Sequence, residues 1–202
     1  MSHSERYYER REMSIPNPGW PTRRPLWAGV LIASLCLAIL AGSALAANLV
    51  KNGSFEKDSN GDGLPNSWEL NIEAGSIDGD KRVCNQSYAG ECSFKMVGDT
   101  TNKSLFQSIP VGGIAGTEVN FSVRTKGKLL TGGFTYAFVQ FYHTGGGSNS
   151  ETFIFPGGTT PWTLYQFSVA ASQNFDSIGI GFFISADSGK VWFDKVKLVE
   201  GA

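Results

Sequence analysis

From residue 48 onward the chain is a succession of short stretches in which apolar and polar residues alternate with period two. The clearest is Glu118 to Lys126 (EVNFSVRTK). An extended backbone sends Val119, Phe121, Val123 and Thr125 to one side, and Asn120, Ser122, Arg124 and Lys126 to the other. Ser104 to Pro110 alternates in the same way. Phe134 to His143 (FTYAFVQFYH) is the most apolar run, and Glu151 to Phe155, Leu164 to Ala170, Ser177 to Ser185 and Lys190 to Val199 complete the series. Asn48 to Glu56 (NLVKNGSFE) reads as a first short strand with a glycine break, Asp58 to Glu69 as a polar loop, and Lys81 to Val97 as a hairpin. Glycine-rich turns at Gly145 to Gly147, Pro156 to Gly158 and Asp187 to Gly189 separate the later strands. Eight to ten strands with frequent turns predict an all-β domain, a two-sheet sandwich or a barrel, with its first and last strands paired.

The preceding residues follow a different pattern. Leu26 to Ala47 (LWAGVLIASLCLAILAGSALAA) carries no charge over its whole length, after a polar stretch with five Arg and three Glu. Ala44-Leu45-Ala46 places small residues where a signal peptidase reads them, so cleavage is expected after Ala46 or Ala47. The same run is long enough to serve as an uncleaved membrane anchor, which is the one route by which the membrane becomes a partner. Thr22-Arg23-Arg24-Pro25-Leu26 partly matches a twin-arginine export signal, and Met13 is an alternative start. The chain thus divides into residues 1–47, a signal peptide or anchor with an extended polar n-region, and residues 48–202, one β domain. The expected location is secreted, periplasmic or cell-surface.

Charge narrows the partners. Residues 48–202 hold 12 Lys and Arg against 15 Asp and Glu, and no stretch clusters the cations among aromatics. A nucleic-acid binder needs a basic face to displace counterions, so nucleic acid is not an expected partner. The same region keeps two cysteines, Cys84 and Cys92, around a Tyr-Ala-Gly turn. In an oxidising compartment such a pair forms a disulfide, contributing on the order of 2–3 kcal/mol; the alternative is two free buried thiols.

The strongest chemical signal is the loop DSNGDGLPNSWE, Asp58 to Glu69. Side-chain oxygens recur at Asp58, Asn60 and Asp62, Leu64 offers a carbonyl, and Glu69 falls where a calcium loop places a late ligand. Ca²⁺ takes six to eight hard oxygens around one point, which alternating ligands on a coiled loop supply. Pro65 and the lack of flanking helices separate it from an EF-hand. It is similar to the helix-free calcium loops of secreted bacterial proteins, with Asn66 where those have Asp. The alternative is a solvated turn without an ion.

In order, NLVKNGSFE, SYAGECSFKMVG, SIPVGG, VNFSVRTKG, PWTLYQFSV and VWFDKVKLVE resemble the CenC-like carbohydrate-binding modules, over nearly all of Asn48 to Glu200. The resemblance implies a jelly-roll β-sandwich with Trp162 and Trp192 packed inside. It also implies a second structural calcium, held by Glu56 and Asp194 between the first and last strands. Two buried carboxylates without a cation would be costly; pairing with Lys195 or Lys197 is the alternative.

A sugar-binding sandwich stacks exposed aromatic rings on pyranose faces. Arg124, Gln140 and Tyr142 are the candidate ligand-binding residues if their two strands share a concave face; the alternative makes Phe134, Tyr136 and Phe138 core. Catalysis is not expected. A glycosidase fixes two carboxylates across a cleft, His143 is the one histidine after residue 47, and no GxSxG elbow or phosphate-cradling loop occurs. The expected function is a non-catalytic, calcium-bearing binder of a polysaccharide or glycan. The competing reading is a structural or adhesive surface protein using the same sandwich for protein contacts, and a hydrolase or lyase of unusual design is a weaker third.

Overall fold

The computed structural model describes residues 47–72 and 79–201. The export segment expected at Leu26 to Ala47 lies, apart from Ala47, outside them. Among the described residues none is helical, and ten strands form: β1 (Glu69–Ile72), β2 (Lys81–Val83), β3 (Ser93–Val97), β4 (Lys103–Ile109), β5 (Glu118–Thr131), β6 (Thr135–His143), β7 (Ser148–Phe155), β8 (Gly158–Ala170), β9 (Phe175–Ile184) and β10 (Ser188–Glu200). They make two five-stranded antiparallel sheets. Sheet 1 has the order β1-β4-β9-β6-β7 and sheet 2 the order β2-β3-β10-β5-β8. The chain crosses between sheets at most connections, and the result is a jelly-roll sandwich.

The alternation read from the sequence sets the layers. Along β5, Val119, Phe121, Val123 and Thr125 are buried while Asn120, Ser122, Arg124 and Lys126 are half-buried on the outside. The interior is densely aromatic. Phe182 of β9 stacks on Phe193 of β10 with ring centroids 4.0 Å apart, joining the central strands of the two sheets. Trp68 stacks on Phe182 at 6.0 Å, and Phe55 lies 5.2 Å from Trp68. Trp68 therefore anchors the 58–69 loop in the core, and its Nε1 donates to the Asn52 carbonyl.

Three expectations change. Asn48 to Glu56 is not a strand, because Asn52 (φ 50°) and Phe55 (φ 57°) take left-handed backbone that breaks extension. It still runs beside β10: the Leu49 amide donates to Leu198 O, and the Val196 amide to Gly53 O. Any Cβ on Gly53 would sit 2.2 Å from Val196 O, so this close approach requires glycine. Second, the polar loop gives way at Glu69 to a strand, β1, not expected from the sequence. Third, Trp162 is only half-buried, and Trp192, though buried, lies on the outer side of β10 apart from the main core cluster. Val191 and Phe193 take the inward positions of β10, which turns Trp192 outward beneath Lys126, whose ammonium lies 5.9 Å from its ring centroid. Trp162 precedes Thr163, which stands opposite inward-facing Thr125, so it too points outward and packs edge-on against Tyr88.

One buried ion cluster closes the sandwich. The ammonium of Lys103 on β4, wholly buried, donates to Asp80 Oδ2 (2.7 Å), Asp99 Oδ2 (2.8 Å) and Val97 O (2.8 Å). Three donors meet three acceptors, so no hydrogen-bonding capacity of the ammonium is wasted. Removing the cation would strand Asp80, which is equally buried. Lys103→Met is expected to lower stability by about 3–5 kcal/mol in urea unfolding; a loss below about 1 kcal/mol would refute this assignment.

Candidate functional site

The outer face of sheet 1 is built from alternate residues of its strands, and the pairing registers arrange them in rows. One row runs Asn71, Ser104, Phe183, Tyr136, Ile154. The next runs Glu69, Phe106, Gly181, Phe138, Thr152, and a third Ser108, Gly179, Gln140, Ser150. A fourth holds Ser177, Tyr142 and Ser148. Rings thus occupy the middle of the face, and its margins carry mostly hydroxyl and amide groups, with Glu69 at the β1 edge and Ile154 at the β7 edge.

The central strand β9 shapes this surface by what it lacks. Gly181 lies beneath the Phe138 ring, where an added Cβ would come 2.7 Å from Phe138 Cζ and 2.4 Å from Leu105 O. Gly179 lies between Phe106 and Tyr142, at 2.8 and 3.0 Å from their rings on the same measure. The two glycines let rings from β4 and β6 lean over β9 from either side. Phe106 and Phe138 end nearly parallel, interplanar angle 13° with centroids 6.3 Å apart. Tyr136 stacks on Phe183 at 4.9 Å, and Phe134 extends that stack at 6.0 Å from Phe183. Burial within the stack pushes the Tyr136 hydroxyl above its usual 10.0, so it remains a neutral hydrogen-bonding group at physiological pH. At the β7 margin the Tyr142 hydroxyl donates to Gln140 Oε1 (3.3 Å), and Gln140 Nε2 donates to Ser148 Oγ (2.7 Å).

Of the three residues expected on one face, Gln140 and Tyr142 share this one and Arg124 does not. Arg124 belongs to β5 of sheet 2, on the opposite side of the sandwich, with its guanidinium 4.4 Å from the centroid of the Tyr88 ring. The expectation required β5 and β6 to share a sheet, but the chain crosses between sheets there. Conversely, Tyr136 and Phe138, which the alternative reading placed in the core, lie on this face. Ala137, Val139 and Phe141 fill the inward positions, so the small residue in an apolar run marked the parity. His143, on the other side of the strand as expected, points inward and bonds Asn149 Oδ1 through Nε2 at 2.8 Å.

The Cys84–Cys92 disulfide closes the loop between paired β2 and β3. This loop collects both carboxylates of the expected terminal calcium site. The amides of Tyr88 and Ala89 donate to Asp194 Oδ2 (2.8 and 3.1 Å), and that of Lys195 to Oδ1 (2.7 Å). The amides of Glu91 and Cys92 donate to Glu56 Oε1 (3.1 and 3.4 Å), and the Arg82 guanidinium holds the Phe55 and Glu56 carbonyls at 2.7 Å each. Asp194 is wholly buried, and burial pushes its carboxyl above 3.8. Two hard-oxygen donors converge on one loop, one of them buried without a cationic side chain bonded to it. Each hydrogen bond to Asp194 or Glu56 turns a carboxylate oxygen toward an amide, and among the described residues no group of three or more His, Cys, Asp or Glu clusters, so a calcium ion here would need backbone carbonyls for most of its ligands.

The 58–69 loop is folded on its own amides. Gly61 and Gly63 donate to the two oxygens of Asp58 (2.9 and 3.0 Å), Leu64 N and Asn60 Nδ2 to those of Asp62 (2.8 and 2.7 Å), and Ser59 N to Asn66 Oδ1 (2.8 Å). Asp58, Asn60 and Asp62 are thus brought together. Leu64 packs against the core, and Glu69 opens β1 opposite Phe106.

No protein-family profile matches the chain, and no curated protein does. Solved structures do. A family 16 carbohydrate-binding module matches at TM-score 0.56 and 21% identity, covering 76% of this chain and 100% of the module. The module TmCBM61, solved in complex with β-1,4-galactotriose, matches at TM-score 0.54 and 16% identity over 77% of this chain and 100% of its own. The enzymatically active domain of Bacteriophage CBA120 tailspike protein 4 matches at TM-score 0.60 and 19% identity, over 76% of this chain. The matched part makes up 21% of the tailspike domain's length. The chain has the jelly-roll fold of carbohydrate-binding modules.

The glycine row is a direct structural requirement of the face. Gly181→Ala is expected to displace Phe138 and to destabilise the fold by about 1–3 kcal/mol. An unshifted Phe138 ring in a crystal structure of the variant would contradict it.

Proposed function

We propose that this chain is an exported, non-catalytic carbohydrate-binding protein that holds a glycan on the outer face of sheet 1. The observation that carries the reading is the aromatic face whose rings close over Gly179 and Gly181, edged by Gln140, Ser150, Ser148 and Asn71. Ring faces supply apolar contact to the C–H side of a pyranose, and the marginal amides and hydroxyls hydrogen-bond its hydroxyl groups. Few carboxylates border this face, Glu69 on β1 and the exposed Asp176 at the start of β9 among them, so the ligand expected is a neutral polysaccharide. The likeness to a module solved with β-1,4-galactotriose supports the same class of ligand. The disulfide supports an oxidising location, secreted, periplasmic or on the cell surface.

Calorimetric titration against β-1,4-galactan, xylan and β-1,4-glucan tests the proposal. Saturable binding to at least one is expected, weakened about 30-fold in Tyr136→Ala, the loss of about 2 kcal/mol typical of a central aromatic. Tyr136 is half-exposed, so the variant folds. Binding unchanged by Tyr136→Ala would move the site elsewhere.

The second reading, a structural or adhesive protein, is favoured by Phe134 and Ile154, which are 51% and 65% exposed at one end of the same face. Self-association in sedimentation, with no response to any glycan, would support it.

Calcium is proposed as a structural ion in two places, between Glu56 and Asp194 and in the loop that brings Asp58, Asn60 and Asp62 together, without Glu69, which the fold places on β1 opposite Phe106. Without an ion, a carboxyl raised like Asp194 contributes stability fully below pH 3.8 and loses it as pH rises through its folded value. A bound cation reverses this by favouring the charged form. Carbon-13 titration of Asp194 is expected to give a midpoint above 3.8 in chelator and a lower one in calcium. A midpoint indifferent to calcium sinks the terminal site, and a melting temperature indifferent to chelator at pH 7 sinks both.

A further inference from the structure

On the far side of the sandwich, the outward positions of sheet 2 collect positive charge. Lys81 of β2 stands opposite Lys95 of β3, Lys95 opposite Trp192 of β10, and Trp192 opposite Lys126 of β5, so one row crosses four strands. Two residues along, Lys190 stands opposite Lys128. Neighbouring strands lie about 4.8 Å apart and alternate residues of a strand about 6.8 Å apart, so the five ammonium groups share one small area. The region has 12 cations in all and a net negative charge, so this concentration is a product of the fold.

The arrangement costs stability. Like charges directly opposite each other destabilise a sheet, and Lys81–Lys95 and Lys128–Lys190 are two such pairs. Among the described residues the ion pairs all belong to Lys103, and none of the five lysines joins one. Asp80, the acid nearest in effect to Lys95, is committed to Lys103. Burial together with the fields of Lys190 and Lys81 pushes the Lys95 amine below its usual 10.5. Trp192, 8% exposed, floors the patch.

We propose that this face docks a linear anionic polysaccharide, one carrying a carboxylate or sulfate on successive sugars. A polymer with charge repeated along its length neutralises several fixed amines at once, and strands hold those amines in place without further ordering cost. The surface does not match the other polyanions. Single-stranded nucleic acid is held by open aromatic platforms, whereas here Trp192 lies under lysine stems and Trp162 and Tyr88 pack edge-on against each other beside the patch. A lipid surface requires a broad apolar face to insert, and Leu129 at the margin is a single side chain. This face is opposite the aromatic face, so the two sites are independent.

Affinity electrophoresis of the full chain through gels containing polygalacturonate tests this, with β-1,4-galactan gels as the neutral control. Retardation by polygalacturonate is expected. It should weaken at least about tenfold when NaCl rises from about 50 to about 500 mM, as exposed charges are screened. Comparable weakening is expected in the double variant K128E/K190E, whose two side chains are exposed, and no change in Tyr136→Ala. K81Q/K190Q serves as the second variant should the charge reversal fail to fold. The absence of retardation overturns the proposal, as does equal retardation of a folded lysine variant. Tighter lysine-dependent binding to a single-stranded oligonucleotide or to phosphatidylglycerol vesicles than to polygalacturonate also overturns it. Loss of galactan binding with polygalacturonate binding intact would instead bear on the aromatic face alone.

Discussion

The contact of Phe182 with Phe193, centroids 4.0 Å apart, joins the central strand of each sheet, and both outer faces follow from it. A strand has only two sides. Once Phe182, Ile180 and Ile178 point inward, β9 must show Gly179, Gly181 and Phe183 to the outside. Once Phe193 and Val191 point inward, β10 must show Trp192 and Lys190. A shift of one residue in either strand would bury the lysines and expose the core, at a cost of many side-chain transfer energies of about 1.5–3 kcal/mol each. The aromatic face and the cationic patch are therefore two consequences of one packing decision.

Polar groups inside this core are tolerated where their capacity is filled. Lys103 meets three acceptors, and Asp194 meets three backbone amides. The two differ in one respect. Lys103 is hydrogen-bonded to opposite charges, whereas Asp194 is hydrogen-bonded to amides alone, and in both places burial is the largest influence and leaves the carboxyls of Asp80 and Asp194 raised. The disulfide loop matters here because it carries the amides that reach Asp194 and Glu56, tying the 84–92 segment to both ends of the described domain. Sequence separations of 105 and 106 residues are bridged by these bonds, which only a finished fold can make.

Much of the fold was legible because alternation is a local property. The sides of β5, the β2–β3 hairpin, its disulfide and the two-sheet class all follow from neighbours a few residues apart. The misses have local causes too. Left-handed backbone at Asn52 and Phe55 is not encoded by composition, and a run apolar on both sides, such as FTYAFVQFYH, does not announce which side is buried. The binding residues were half legible for that reason. Gln140 and Tyr142 share a face by parity alone, but Arg124 was joined to them across a connection that changes sheets. The lysine patch was invisible, since its members come from β2, β3, β5 and β10 and no stretch of chain clusters them.

By itself the sequence determined what spacing and chemistry can encode: an apolar export-type segment, strands with assigned sides, a cysteine pair across a turn and oxygen-rich positions. The tertiary structure decided which strands became neighbours. Side chains on one sheet face are close because of hydrogen-bonded register, and register is set by burying the core as a whole. That is why glycines from β9 came to lie beneath rings from β4 and β6, and why lysines more than a hundred residues apart came to share a surface.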